Sequence, residues 1–502
     1  MSEAVRHLRL HASDNVVVAL SPFAPGEMVE GVTVRTAIPA GHKLATRDLS
    51  PGDPVVKYAN TIAVATAPIA AGDHVHVHNA AMPGALGPRR ALVGAAAARE
   101  AVTPRTFPGI RRPDGRVATR NFVGVVTTVN CSATVARAIA DRYRGEALRR
   151  WPGVDGVVAL THAYGCAMGR DSEGIRTLRR TLAGYARHPN FAGVLLLGLG
   201  CESNELSALA QACQGVAHLR TMDVQSTGGT LETIAAGSRA IEELLDIAAG
   251  AVRTPEPLSH LALGLQCGGS DAFSGVTANP ALGAAADLLV AHGATVILSE
   301  TPEIYGAEHL LKARAAKPEV ADALDDRIAW WTAHAAADGG SLNDNPSAGN
   351  IAGGITTILE KSLGAVAKGG SSPLEAVIEY AQPLPTRGLV FMDSPGYDPM
   401  SATGQVASGA NLIAFTTGRG STFGCKPAPS LKLATNSDLH RRMPGDIDVN
   451  CGDILEAGVS IADKGREIFE ALIEMASGVP SASERHGFGD AEFTPWVPGV
   501  IT

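Results

Sequence analysis

NFVGVVTTVNC (residues 121–131), DGVVALTHAYGC (155–166) and FAGVLLLGLGC (191–201) follow one pattern. Each is a short apolar run that ends in polar residues and a cysteine, and the cysteines fall 35 residues apart. Between the runs lie segments with helical spacing, ATVARAIADRYR and SEGIRTLRRTLAGYA. Buried strands that alternate with amphipathic helices predict a parallel sheet built from βα units, here doubly wound. In such sheets ligands bind beyond the carboxyl ends of the strands, so Cys131, Cys166 and Cys201 are expected along one rim. Cysteine is also an ordinary core residue, and any one of the three taken singly reads as structural.

Working outward, residues 12–82 are strand-rich and punctuated by Pro-Gly, Ala-Gly and Gly-Asp turns, which predicts a small all-β barrel or clip. Residues 83–108 lack a periodic apolar face and read as a linker, ahead of an α/β domain over 109–255. A second α/β unit over 256–502 shows strands at HLALGLQC, ATVILSE, GLVFMDS and NLIAFTT. The expected fold is therefore multidomain α/β, a small β domain followed by two α/β domains with largely parallel sheets.

The net charge of −8 with scattered Lys and Arg gives no nucleic-acid footprint. An anionic ligand would then need local basic residues. No apolar run is long enough to span a bilayer, and the N-terminus lacks the apolar centre of a signal peptide. Seven dispersed cysteines, an odd number, fit reduced thiols in a cytoplasm better than a disulfide framework. A homo-oligomer is the general expectation for an enzyme of this size.

Polar residues follow nearly every strand: Asn130, Thr161-His162, Ser270-Asp271, Ser299-Glu300 and Arg419. Ser, Thr, Asp and Asn at such places ordinarily cap helices. Arg419, in Gly418-Arg419-Gly420-Ser421, suits a carboxylate clamp, because the guanidinium fork matches carboxylate geometry. In the β domain His74, His76 and His78 alternate, and on a strand they would share one face suited to Fe, Mn or Zn. The three strand-end cysteines offer an alternative, thiol-ligated iron–sulfur centre.

Longer strings carry a family resemblance. Ala-Gly-His42-Lys43, Val75-His76-Val77-His78-Asn79, TRNFVGVVTTVNCSAT (119–134), THAYGC (161–166) and GLGCE (198–202) are followed by QCGGSDAFSGVTANPALG (266–283) and SETPEIYGAEHLL (299–311). NPSAGN (345–350), MDSPGYDP (392–399), FTTGRGSTFGCKPAPSLKLATN (415–436) and the terminal FTPWVPG complete the set. The chain resembles the altronate/galactarate dehydratase family over nearly its whole length. The resemblance implies an SAF-like β-clip over 1–82, and dehydration of a small anionic sugar acid to a 2-keto-3-deoxy acid with Fe2+ or Mn2+. It makes His76 and His78 the expected metal ligands and His42 and Lys43 the acid/base pair, with His162 in reserve. Asn130, Ser270, Asp271, Arg419 and Lys426 would orient the substrate. Elimination of sulfite from sulfolactate, as in some relatives, and non-catalytic sugar-acid binding are the competing readings. The chain departs from the family pattern at Ala167, Ala272 and Ile351, where Gly, Gly and Lys are usual.

Overall fold

The computed structural model describes residues 6–84 and 102–499. Most of the expected linker, residues 85–101, lies outside them. Thr106–Arg111, at the linker's expected end, is already a strand. It pairs antiparallel with Val117–Ala118 and Arg253–Pro257, and the latter runs through the boundary expected at 255. All seven cysteines are free thiols, and no helix among the described residues is long and apolar enough to cross a membrane.

In the β-clip, Val16–Ala19 pairs antiparallel with His7–Leu8 and with Lys43–Ala45, which pairs in turn with His74–Val75. A second small sheet joins Pro54–Lys57, Asn60–Ala65 and Ala80–Ala81. The histidine run departs from the expected alternating strand. The strand stops at Val75, where Asn79 accepts from the His76 amide (3.0 Å) and donates to His74 O (2.9 Å), closing a turn.

The middle domain has the expected parallel sheet. Its order is Gly156–Leu160, Phe122–Thr127, Phe191–Gly198, Leu219–Asp223. The C-terminal sheet has seven parallel strands: Leu374–Ile378, Gly388–Met392, Thr295–Leu298, Ala262–Cys267, Leu412–Thr417, Ser430–Ala434 and Val449–Asn450. Most of its strands are buried along their whole length, as parallel strands covered on both faces must be. The chain leaves Ala262–Cys267 toward one edge and later returns to its other side at Leu412–Thr417. That reversal opens a crevice at the carboxyl ends of these two strands, the general ligand position in such sheets.

Both smaller domains pack on the C-terminal one. Buried Val16, Ala45 and Ile62 of the β-clip share a core with Leu263 and Leu282, and middle-domain Leu178 and Leu182 share one with Val406 and Phe415. Helix Glu173–Ala186 lies so close to helix Asp398–Ser408 that a Cβ on Gly184 would fall 2.3 Å from Ala407 O. Overpacking of this kind typically costs 1–3 kcal/mol. Gly184→Ala is therefore expected to lower stability by about 2 kcal/mol, measured as a drop in the thermal midpoint; an unchanged midpoint would contradict this packing.

Candidate active site

The loops leaving Cys267 and Thr417 meet at the crevice. Gly269 O accepts from the amides of Gly418 and Arg419, each at 3.1 Å. Asp271 closes the junction: its carboxylate accepts from the Ser274 and Thr435 hydroxyls (3.0 Å each) and from Asn436 Nδ2 (3.1 Å). A Cβ on Gly418 would fall 2.4 Å from Asp271 Oδ2, so glycine is needed there. Asp271, Arg419, Asn436 and Arg442 line a cavity of about 430 Å³, whose other wall is Ala40 of the β-clip with Ala352 and Gly353. Asp438 and Glu456 also line it. Arg419 is exposed toward it.

Two residues from Ala40 stands a histidine group. The pairing of Lys43 with Val75 places His42 beside His76, ring centroids 4.7 Å apart. His42 Nδ1 faces His74 Nε2 at 2.9 Å, and His42 Nε2 lies 3.4 Å from Ala352 O on the cavity wall. One ring nitrogen from each of His42, His74 and His76 falls within 4.8 Å of the others. His76 Nδ1 is buried with no hydrogen-bond partner. Burial first, then the neighbouring cationic groups, pushes His74 down to about 3 and His76 to about 4, so the rings are neutral. Converging neutral imidazoles with an orphaned nitrogen are the donor set of a borderline divalent metal. His78, expected as a ligand, is exposed beyond the end of the strand, its ring 5.2 Å from that of His74 and outside the converging group.

Lys43 points the other way, into the domain interface. Its Nζ donates to Gly354 O (2.6 Å) and to both carboxylate oxygens of Glu360 (3.1 and 2.8 Å), and Lys57 Nζ donates to Glu360 Oε1 at 2.9 Å. All three are buried. Glu360 lies in the first turn of helix Ile358–Val366, and its two lysines hold its carboxyl down at about 2 despite burial. Lys43 is thus committed to fastening the β-clip, not placed as a free base.

A second buried group lies behind the 268–273 loop. Lys368 Nζ is 2.9 Å from Cys267 Sγ and 3.5 Å from Glu300 Oε2, while Cys267 Sγ lies 3.4 Å from Glu303 Oε2. Lys361 donates to Glu303 Oε1 (2.7 Å) and to Asn345 Oδ1 (2.7 Å). Burial raises Glu300 well above the usual carboxylate range and Asp398 to about 6. Cys267, Glu300 and Glu303 could also hold a cation, but the Lys368 ammonium already stands against two of them. A small polar chamber lined by Cys267, Ser270, Lys361, Lys57 and Glu360 joins this group to the interface ions. Sequence reasoning named Ser299-Glu300 only as a strand end and passed over Glu303, Lys361 and Lys368. The acidic SETPE string was the available signal.

The other expected site residues separate. Ser270 is buried beside Asp271, its carbonyl taken by Asn350 Nδ2 (2.8 Å). Lys426 is tied to Gly487 O and Asp490, both at 2.9 Å. Asn130 and His162 belong to the middle domain. Asn130 Nδ2 donates to His162 O (3.1 Å); His162 Nε2 meets Thr127 O (3.0 Å) and Nδ1 accepts from the Tyr164 amide (3.2 Å). With both nitrogens engaged and burial holding it near 4, His162 shapes a turn. The β-clip histidines therefore dock on the C-terminal domain, because Lys43 and Lys57 find their counter-ion on helix Ile358–Val366.

Fold and site are those of an enzyme, a lyase of the carbon–oxygen-cleaving class, as comparison with known proteins shows. Residues 258–501 match the D-galactarate/altronate dehydratase C-terminal domain, 109–249 the D-galactarate dehydratase/altronate hydrolase second domain, and 5–83 the altronate/galactarate dehydratase SAF domain. The altronate dehydratase of Bacillus subtilis (strain 168) is 38% identical over 491 residues, 96% of this chain and 97% of that protein. That of Escherichia coli (strain K12) is 35% identical, covering 96% and 98%. The galactarate dehydratase (L-threo-forming) of Escherichia coli (strain K12) is 34% identical, covering 94% and 93%. The chain belongs to the altronate/galactarate dehydratase family.

Proposed function

We propose that the chain dehydrates a sugar acid of the altronate or galactarate type to a 2-keto-3-deoxy acid in the cleft between β-clip and C-terminal domain. The observation that carries this reading is the juxtaposition of three converging neutral imidazoles with a cavity whose facing wall presents Arg419 and Arg442. His42, His74 and His76 would hold the metal, ferrous iron or manganese. When bound, such an ion stabilises the negative charge that develops as the proton at C2 is lost. The Arg419 fork pairs with the substrate carboxylate and fixes its direction. Asp271 holds the Arg419 loop in place through the contacts described above. Burial pushes up the carboxyls of Glu300 and Asp398, and also that of Asp271, which lines the cavity itself, and these buried acids are the candidates for moving a proton there.

Incubation of the iron-loaded chain with altronate, galactarate and sulfolactate, followed by carbonyl trapping and sulfite assay, tests the reading. A keto product from a sugar acid is expected. Sulfite from sulfolactate alone, or binding without turnover, would overturn it. Arg419→Lys is expected to raise KM roughly tenfold with a smaller change in kcat, since an ammonium cannot reproduce the bidentate pairing. An unchanged KM would remove Arg419 from the carboxylate site.

A further inference from the structure

The three strand-end cysteines are left unused by the cleft, and the sheet brings their turns together. Phe122–Thr127 is flanked by Gly156–Leu160 and Phe191–Gly198, so the turns bearing Cys131, Cys166 and Cys201 leave three neighbouring strands about 5 Å apart. The turns also pin one another in pairs. The Asn130 amide donates to Tyr164 O (3.0 Å), joining the first to the second. The Asn204 amide donates to Gly165 O (2.9 Å), joining the third to the second. Asn204 Nδ2 reaches Thr128 O (3.0 Å) and Thr128 Oγ1 reaches Glu202 Oε1 (2.5 Å), closing the triangle.

Backbone shape follows the same purpose. Gly165 has φ +112° and Gly200 φ +122°, each directly before a cysteine. A Cβ on Gly165 would fall 2.5 Å from Thr128 O and 2.7 Å from Val129 Cα, so only glycine lets the second turn close on the first. All three thiols are exposed and free, and Gln225 Nε2 donates to Cys201 Sγ at 3.4 Å. The chain order reverses at Phe122–Thr127 exactly as it does in the C-terminal sheet, and a cavity of about 650 Å³ opens beside Cys201. A polynuclear centre takes its thiolates at separate corners, as turns leaving neighbouring strands can supply them.

We infer that Cys131, Cys166 and Cys201 ligate an iron–sulfur cluster on the middle domain, independent of the histidine site. Three thiolates supply three irons of a four-iron cluster, release three protons on loading, and leave the fourth iron open to an oxygen ligand. About two ferric and two ferrous ions with about four sulfides, supplied by the cell's or the experimenter's assembly chemistry, make the core, so no net oxidation or reduction is needed.

The test is anaerobic reconstitution of the full chain with equal amounts of ferrous and ferric iron and with sulfide. Wild type is expected to bind about four irons and about four acid-labile sulfides as a cluster, beyond the iron held by the histidines, with a broad visible absorbance. Cys131→Ser, Cys166→Ser and Cys201→Ser are each expected to lose most of that absorbance and sulfide. Cys213→Ser, at a buried thiol elsewhere, and His74→Ala should keep both. Circular dichroism of the serine variants checks that they fold, as substitution at exposed positions predicts. Wild type that after reconstitution holds no acid-labile sulfide and only the iron at the histidines, or a folded triple-serine variant that retains the cluster, would overturn the inference.

Discussion

Replacing His74 with alanine is expected to strip the chain of its histidine-bound iron and to lower turnover at least a hundredfold. Loss of a mere partner to a metal ligand typically costs 10–100-fold in affinity or activity, and loss of a ligand costs no less. His74 stands between His42 and His78 and shares the 2.9 Å contact with His42, so its removal opens the group at the centre. The side chain is only half-buried, and the fold should survive. Metal analysis after anaerobic loading without sulfide, alongside the keto-product assay, measures both effects. Cys267→Ser provides the comparison. It should keep the iron, because Lys368 supplies the positive charge in that buried group. If instead Cys267→Ser loses the metal and His74→Ala retains it, the ligand assignment moves to Cys267, Glu300 and Glu303.

The second large effect is on docking. Glu360→Ala would leave Lys43 and Lys57 buried without their counter-ion. Removing one partner of a buried ion group costs about 3–5 kcal/mol. Glu360→Ala is expected to lower the thermal transition accordingly and to abolish activity even when the histidines are intact. Glu360→Gln, which keeps shape but not charge, should be nearly as harmful. The acid side offers an independent check. Glu360 titrates near 2 in the folded chain against an ordinary 4.5, so the stabilisation from its charge is present above about pH 4.5 and lost as pH falls toward 2. Glu360→Gln should therefore lose less stability than wild type across that window. Equal acid sensitivity in the two would show that the carboxylate is not the fastener.

The α/β layers were legible because buried parallel strands announce themselves as continuous apolar runs. The run ending at Cys267 needed nothing else. Leu374–Ile378, Ser430–Ala434 and Val449–Asn450 escaped, the last because two residues leave no pattern and Ser430–Ala434 because its Lys432 interrupts the apolar signal although the side chain is buried. The place of Arg419 on the cavity wall was readable from its glycine-flanked turn after a strand. The roles of His42 and Lys43 were not. Consecutive residues on a strand face opposite ways, and what each meets is decided more than 300 residues away, at Ala352 and Glu360. His78 misled for a local reason: alternation in sequence implies a shared face only while the strand lasts, and here Asn79 ends it at Val75. His162 looked like a spare base because its two backbone partners, Thr127 O and the Tyr164 amide, leave no mark in the sequence. The departure at Ala167 is visible in the backbone, where a left-handed φ of +54° follows Cys166. A non-glycine residue in that region costs roughly 1–2 kcal/mol, and Ala167→Gly is expected to recover about 1 kcal/mol in a denaturant midpoint.

The adjacency of His42 and Lys43 has a consequence for how this molecule comes into being. One peptide unit joins a member of the histidine group to the cation that locks the β-clip to its counter-ion, so the cleft is completed by the same event that secures the domain. A newly made chain whose β-clip is still adrift would gather its three histidines but lack the Arg419 wall, and so would be silent toward substrate. Such a molecule behaves as a latch whose closing is also its switch.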